Sequence, residues 1–156
     1  MTGDREQLVD TIRTSIAEKK SEKEILTTAA KLIDCFSEGF DWTGFYMMRG
    51  GILEVGPYVG PETPHKKIEL SDGLCGAAAR EKQSIVVDDV NADDRFLACS
   101  ITTRSEIVVP LMNGDEVIGE IDIDSNEPGH FNEDDRKMLE AIAHVIVERL
   151  KEVRGG

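Results

Sequence analysis

The chain reads as an α+β domain, a central antiparallel sheet with its N- and C-terminal helices packed on one face. Three observations predict this. Helical apolar spacing occupies both ends of the chain, the middle alternates apolar and polar residues in runs of strand length, and Gly50-Gly51 and Asn113-Gly114 punctuate those runs where hairpins turn. Strands joined by such short turns pair antiparallel, and terminal helices can close over one face. Neither a repeat nor a linker interrupts the pattern, so residues 1–156 form a single domain. Its parts are helices over 1–38, sheet and site loops over 41–125, and a closing helix over 132–152.

From Arg5 to Lys19, Leu8, Val9, Ile12 and Ile16 recur at helical spacing. Ser21 is placed as an N-cap, with Glu24 three residues on to complete a capping box. The second helix carries Ile25, Leu26, Ala29, Leu32, Ile33 and Phe36 on one face and ends near Gly39, with Cys35 a small buried filler. DWTGFYMM and ILEVGPYV form a hairpin, PETPHKK is a loop, and KIEL a short strand. The small residues of SDGLCGAAAREK predict a closely packed helix from Gly73. SIVVDDV is a strand, NADDRFLACSITTR a polar connection, and SEIVVPLM and DEVIGEIDID a second hairpin. Asn132 caps the last helix, whose first turn is acidic, as the positive helix end favours, and whose stripe is Met138, Leu139, Ile142, Ala143, Ile146 and Leu150.

Composition excludes several classes. A net charge of −13 repels nucleic acid and anionic membrane alike. No apolar run reaches the ~18 residues of a membrane span, and MTGDREQLVD lacks the basic and apolar regions of a secretory signal. Three cysteines, Cys35, Cys75 and Cys99, cannot all pair within one chain and contain no C-x-x-C unit, so a bound metal is not expected and the reducing cytoplasm is the predicted location.

The chemistry concentrates between Arg95 and Ser125. Cys99 lies in a polar loop, Glu106 opens an apolar strand, and Asp122 and Asp124 alternate on the next strand. A thiol-based reduction needs such a set: a thiolate to attack and an acid to protonate the departing oxygen. Ile118, Glu120, Asp122 and Asp124 share one face of their strand by alternation, Gly119, Ile121 and Ile123 the other. The plain account is a half-exposed strand with its acids in water; if the acids are buried instead, their pKa values rise and they hold protons near neutrality. In the first strand Gly44 separates Trp42 from Tyr46 on one face, leaving a slot between the rings or, more simply, part of a packed core. Cys75 sits near a helix N-terminus, which eases formation of its thiolate, or is there as a small residue needed for close packing.

DWTGFY, GPYVG, GLCGAA, VDDV, the FLAC segment, SEIVVPL and GEIDIDS, in this order and spacing, resemble the free methionine-(R)-sulfoxide reductases, enzymes built on a GAF domain. The resemblance runs from about Asp41 into the last helix. It implies reduction of free L-methionine-(R)-sulfoxide to L-methionine, with Cys99 attacking the sulfoxide sulfur and passing through a sulfenic acid. Trp42 and Tyr46 would receive the methyl end; Glu106, Asp122 and Asp124 would hold the polar groups and supply a proton. No cofactor is bound, and reducing equivalents come from thioredoxin or another thiol. One departure is evident: many members carry a cysteine ten positions before the one in GxCG, where this chain has His65, read as a solvated loop residue. The sulfenic acid is therefore resolved by Cys75, through a Cys75–Cys99 disulfide, or by an external thiol. Apolar stripes on the terminal helices, together with the habit of GAF domains, imply a homodimer. The alternative is a non-catalytic GAF module sensing a small ligand or redox state. A third reading, a peroxide or thiol-disulfide sensor, leaves the aromatic pair and the acids unexplained.

Overall fold

Helix formation at the two ends is set by capping side chains. The computed structural model describes residues 3–96 and 102–154. Helix α1 spans Gly3–Ile16, α2 Glu22–Asp34, α3 Gly73–Glu81 and α4 Glu133–Val153. Ser21 Oγ accepts from the Glu24 main-chain N–H at 3.2 Å, but its hydroxyl also donates to Glu24 Oε1 at 3.1 Å. That donation occupies the Glu24 carboxylate in place of the expected return bond to the Ser21 N–H. The reciprocal box forms instead at α4, where Asn132 Oδ1 accepts from Asp135 N–H at 2.9 Å and Asp135 Oδ2 accepts from Asn132 N–H at 3.0 Å. Arg5 donates to the other oxygen of Asp135 at 2.9 Å, tying α1 to the start of α4.

Helix α2 stops at Asp34, short of Gly39, and Cys35 is its C-cap. The expectation of a buried Cys35 fails: it lies one turn beyond exposed Lys31, on the solvent side, and is itself exposed.

Six strands form one sheet: β1 (Trp42–Arg49), β2 (Ile52–Val59), β3 (Lys67–Ile68), β4 (Ile85–Val87), β5 (Ser105–Asn113) and β6 (Glu116–Ser125). Their order is β3-β2-β1-β6-β5-β4, and every neighbouring pair is antiparallel. One face carries Phe45, Met47, Ile107, Val109, Leu111, Ile121 and Ile123 into a core completed by α1, α2 and α4. Burial of this apolar area is the main stabilising term of the fold. On the opposite face α3 packs against β5 and β6, with Leu74, Cys75 and Ala78 meeting Trp42, Tyr46 and Val108. Gly76 lets the segment leading into α3 pass close to the helix, since a Cβ there would stand 2.7 Å from the Leu70 carbonyl oxygen.

Covering that second face overturns the plain account of β6. Its acids do not face water; they lie between sheet and helix. A bulge also departs from strict alternation: Leu111 pairs with Gly119 but Met112 with Val117, so β6 spends an extra residue there. Ile118 consequently joins the core under the terminal helices, away from Glu120.

The stripes of α1 and α4 are spent inside one chain, with Val9, Ile12, Ile16, Met138, Leu139, Ile142 and Leu150 all buried. The homodimer expected from those stripes loses that support. No helix among the described residues is long and apolar enough to cross a membrane.

Replacing Asn132 by Ala removes one arm of the α4 box and should cost about 1 kcal/mol. Urea unfolding checks this as a lower midpoint with an unchanged slope.

Candidate active site

Strand register assembles the acids. Trp42 pairs with Asp124, which pairs on its other side with Glu106, itself opposite Val87. Gly44 pairs with Asp122 and then Val108, and Tyr46 with Glu120 and then Pro110. Paired residues share a face, so four carboxyl groups from two strands are brought together below α3. Relative exposure is 6% for Glu106, 0% for Glu120, 2% for Asp122 and 5% for Asp124.

Taking these groups out of water makes their charge expensive. Among the described residues, both oxygens of Glu120, Oδ1 of Asp122 and Oδ1 of Asp124 have no hydrogen-bond partner. Burial, and then repulsion from Asp122, pushes the Glu120 carboxyl well above its usual range; the nearby Cys75 thiol offsets this only in part and makes no hydrogen bond of normal geometry. Asp124 is pushed well up by burial and by Asp122. Asp122 is raised by burial, with interactions from Glu106 and the Cys75 thiol opposing the shift. Glu106 thus bridges both aspartates, and a hydrogen bond between two carboxyl groups requires a proton on one of them. The group holds protons where isolated acids would have lost them.

Cys75 is fully enclosed in the same cluster. Burial pushes its thiol up well above the ordinary value, with Asp122, Glu120, Glu106 and Asp124 all adding in the same direction. The thiolate stabilisation expected from the N-terminal end of α3 is therefore overturned, by burial first and by the surrounding acids second. Cys99 lies outside the described residues.

The aromatic wall differs from the expected slot. A Cβ on Gly44 would stand 2.5 Å from Tyr58 Cβ and 2.7 Å from the Trp42 ring, so the space over this glycine is filled by those two side chains. Trp42 stacks on Tyr58 with centroids 5.2 Å apart and an interplanar angle of 19°, and on Tyr46 at 6.1 Å and 29°. Two polar tips anchor the loop above: Trp42 Nε1 donates to the Pro61 carbonyl at 3.0 Å and the Tyr46 hydroxyl to the His65 carbonyl at 2.9 Å. His65 is half-buried rather than solvated.

A cavity of about 220 Å³ opens beside this wall, lined in part by Asp41, Trp42, Pro61, Thr63, Thr103 and Asp124. Trp42 and Asp124 thus line the cavity, while Tyr46, Glu106, Asp122 and Cys75 lie among the groups behind it. A larger groove of about 490 Å³ between β5 and α4 holds none of the predicted residues. Its Arg136 is already paired with Glu133 and Glu140. The smaller cavity is the one adjoining the acids.

Sequence reasoning missed Tyr58 and left Glu120 out of the site. Alternation on β6 did place Glu120 beside Asp122. Tyr58 carried no comparable signal, because β2 takes three residues from Val55 to Tyr58 where β1 takes two from Gly44 to Tyr46, so alternation cannot be carried across.

Residues 22–150 match the profile of the GAF domain. The chain is 33% identical to the free methionine-R-sulfoxide reductase of Escherichia coli (strain K12) over 74% of its own length and 68% of the relative's. Among solved structures it is similar to the free methionine-R-sulfoxide reductase of Neisseria meningitidis in complex with its substrate, with a TM-score of 0.92 and 30% identity, covering 96% of this chain and 90% of that one. The type II free methionine-R-sulfoxide reductase of Thermoplasma acidophilum gives a TM-score of 0.78 and 34% identity, covering 93% and 96%.

Gly44→Ala forces its new methyl into the Trp42–Tyr58 stack and should cost about 1–3 kcal/mol. Fluorescence of Trp42, the single tryptophan, should shift with the loss. Glu120 binds a proton more tightly folded than unfolded, so its contribution to stability is present below its unfolded pKa near ~4.3 and falls as pH rises towards the raised folded value. Glu120→Gln should flatten that decline, as read from urea midpoints taken across the acid-to-neutral range.

Proposed function

This chain belongs to the GAF-domain family and to its free methionine-R-sulfoxide reductases, and on that premise we propose that it reduces free L-methionine-(R)-sulfoxide to L-methionine with Cys99 as nucleophile. The observation that carries the proposal is the cluster of buried, proton-holding carboxyl groups beside the Trp42–Tyr58 wall. A neutral carboxyl donates to the sulfoxide oxygen; an ionised one holds the substrate ammonium; the aromatic surface takes the methyl group.

In the proposed reaction the Cys99 thiolate attacks the sulfoxide sulfur while Asp124 or its partner Glu106 delivers a proton to the oxygen. The S–O bond breaks, methionine leaves, and the oxygen ends on Cys99 as a sulfenic acid. A second thiol then attacks that sulfur and expels water, giving a disulfide. Cys75 or an external thiol of the thioredoxin kind fills this role, and a dithiol reductant finally restores the resting enzyme. The acids around Cys75 disfavour its thiolate and so weigh towards the external donor. No bound cofactor is required by these steps. A homodimer accompanies the proposal from the resemblance alone, and light scattering at the mass of two chains checks it.

Incubation with each sulfoxide epimer and dithiothreitol, followed by product chromatography, should show methionine from the R epimer alone. Cys99→Ser should lose turnover, and Asp124→Asn or Glu106→Gln should lose about 10²–10⁴-fold. Full activity in Cys99→Ser would overturn the nucleophile, and binding without turnover in the unaltered chain would favour a sensor. Cys75→Ser should keep activity with dithiothreitol; loss of activity there would assign the resolving step to Cys75.

A further inference from the structure

One sulfur and four carboxyl groups converging on a dry volume is a donor set for a cation as well as for protons. Cys75 Sγ and one oxygen each from Glu106 and Asp122 all lie within 4.8 Å of one another. They come from three elements, α3, β5 and β6, packed rigidly against each other. Tetrahedral zinc with bonds of ~2.0–2.3 Å sets its donors ~3.3–3.7 Å apart, so rotamer adjustment alone brings these three into range.

A second observation points to a ligand. Glu120 is 0% exposed, sits two residues from Asp122 on the same face of β6, and faces the Cys75 thiol with both carboxyl oxygens unpartnered. Asp122 Oδ1 is unpartnered as well. Buried polar atoms are as a rule satisfied, and orphans clustered around a thiol call for a missing partner. None of the ion pairs among the described residues involves Asp122, Asp124 or Glu120.

We propose that, with no sulfoxide bound, Cys75, Glu106 and Asp122 hold one Zn²⁺ in a buried site, with the unpartnered Glu120 carboxyl beside Cys75 adding negative charge to it. The donor types set the choice of metal. A thiolate selects a borderline-soft ion over Mg²⁺ or Ca²⁺, which favour all-oxygen sites. Spacing along the chain gives no hint of such a site, because its ligands are drawn together by strand register and by the packing of α3 on β5 and β6. Zinc and the proposed proton transfer would both call on Glu106, so each opposes the other. A zinc-loaded chain is inactive until the metal is withdrawn.

The test uses the full chain, reduced and stripped of metal, with no sulfoxide present. Calorimetry with Zn²⁺ should give one ion per chain, with no heat from Mg²⁺ at the same concentrations. Titration with Co²⁺ should raise a thiolate-to-cobalt absorption band. Cys75→Ser should abolish that band, and Glu120→Gln should weaken Zn²⁺ binding by about tenfold or more, while Cys35→Ser changes neither. Should Cys75→Ser fail to fold, the double variant Cys35→Ser/Cys99→Ser, which keeps only the Cys75 thiol, decides the matter. A cobalt band there supports the site, and its absence overturns it. Lack of Zn²⁺ binding, or a band that survives Cys75→Ser, also overturns it. Because turnover never enters the measurement, this proposal stands or falls apart from the reductase reading.

Discussion

Removing carboxyl groups from water is the constraint around which this domain is arranged. β6 carries Ile121 and Ile123 towards the helical core and Glu120, Asp122 and Asp124 towards α3, so both sides of one strand are buried for opposite reasons. The apolar side stabilises the fold; the acidic side opposes it, since unpartnered buried polar atoms cost free energy. Such a conflict between local choice and stability is characteristic of functional sites. Helix α3 enforces it. Its run of small residues, Gly76 to Ala79, is buried and sets Cys75 beside the acids, where a bulkier helix would stand off and admit solvent.

The same enclosure explains how the acids divide their roles. Glu106, through its bridge to Asp122 and Asp124, shares protons across two strands, while Glu120 lies deeper and lacks a carboxyl partner. Asp124 alone of the four reaches the lining of the cavity. The Trp42–Tyr58 stack seals the flank beside Asp124, since Trp42 is its direct strand partner.

Much of this was legible before any coordinates. The boundaries of β2 and of α3's start match the turn and small-residue signals, and Asn132 does cap α4. Alternation along GEIDIDS put Glu120, Asp122 and Asp124 on one face, as the β1–β6 register bears out. What alternation could not say was whether that face met water, because burial there is decided by a helix some forty residues away in sequence. Bulges defeated the pattern twice: at Ile118, which changed sides, and before Tyr58, whose stacking on Trp42 went unseen. Cys35 misled because the apolar stripe of α2 was extended one turn past the true helix end. The thiolate reading of Cys75 failed because a helix end acts over one turn, whereas burial against the sheet, and then the acids of other strands, outweigh it.

The loop over the aromatic wall is moored by two side chains of β1, and in both cases the acceptor is a main-chain carbonyl, of Pro61 and of His65. A backbone acceptor exists whatever residue stands at those positions. Rim residues along PETPH can therefore drift in size and charge while the path of the loop stays put. Selectivity for the distal part of a ligand is free to diversify there, with the acid cluster and its protons left undisturbed beneath.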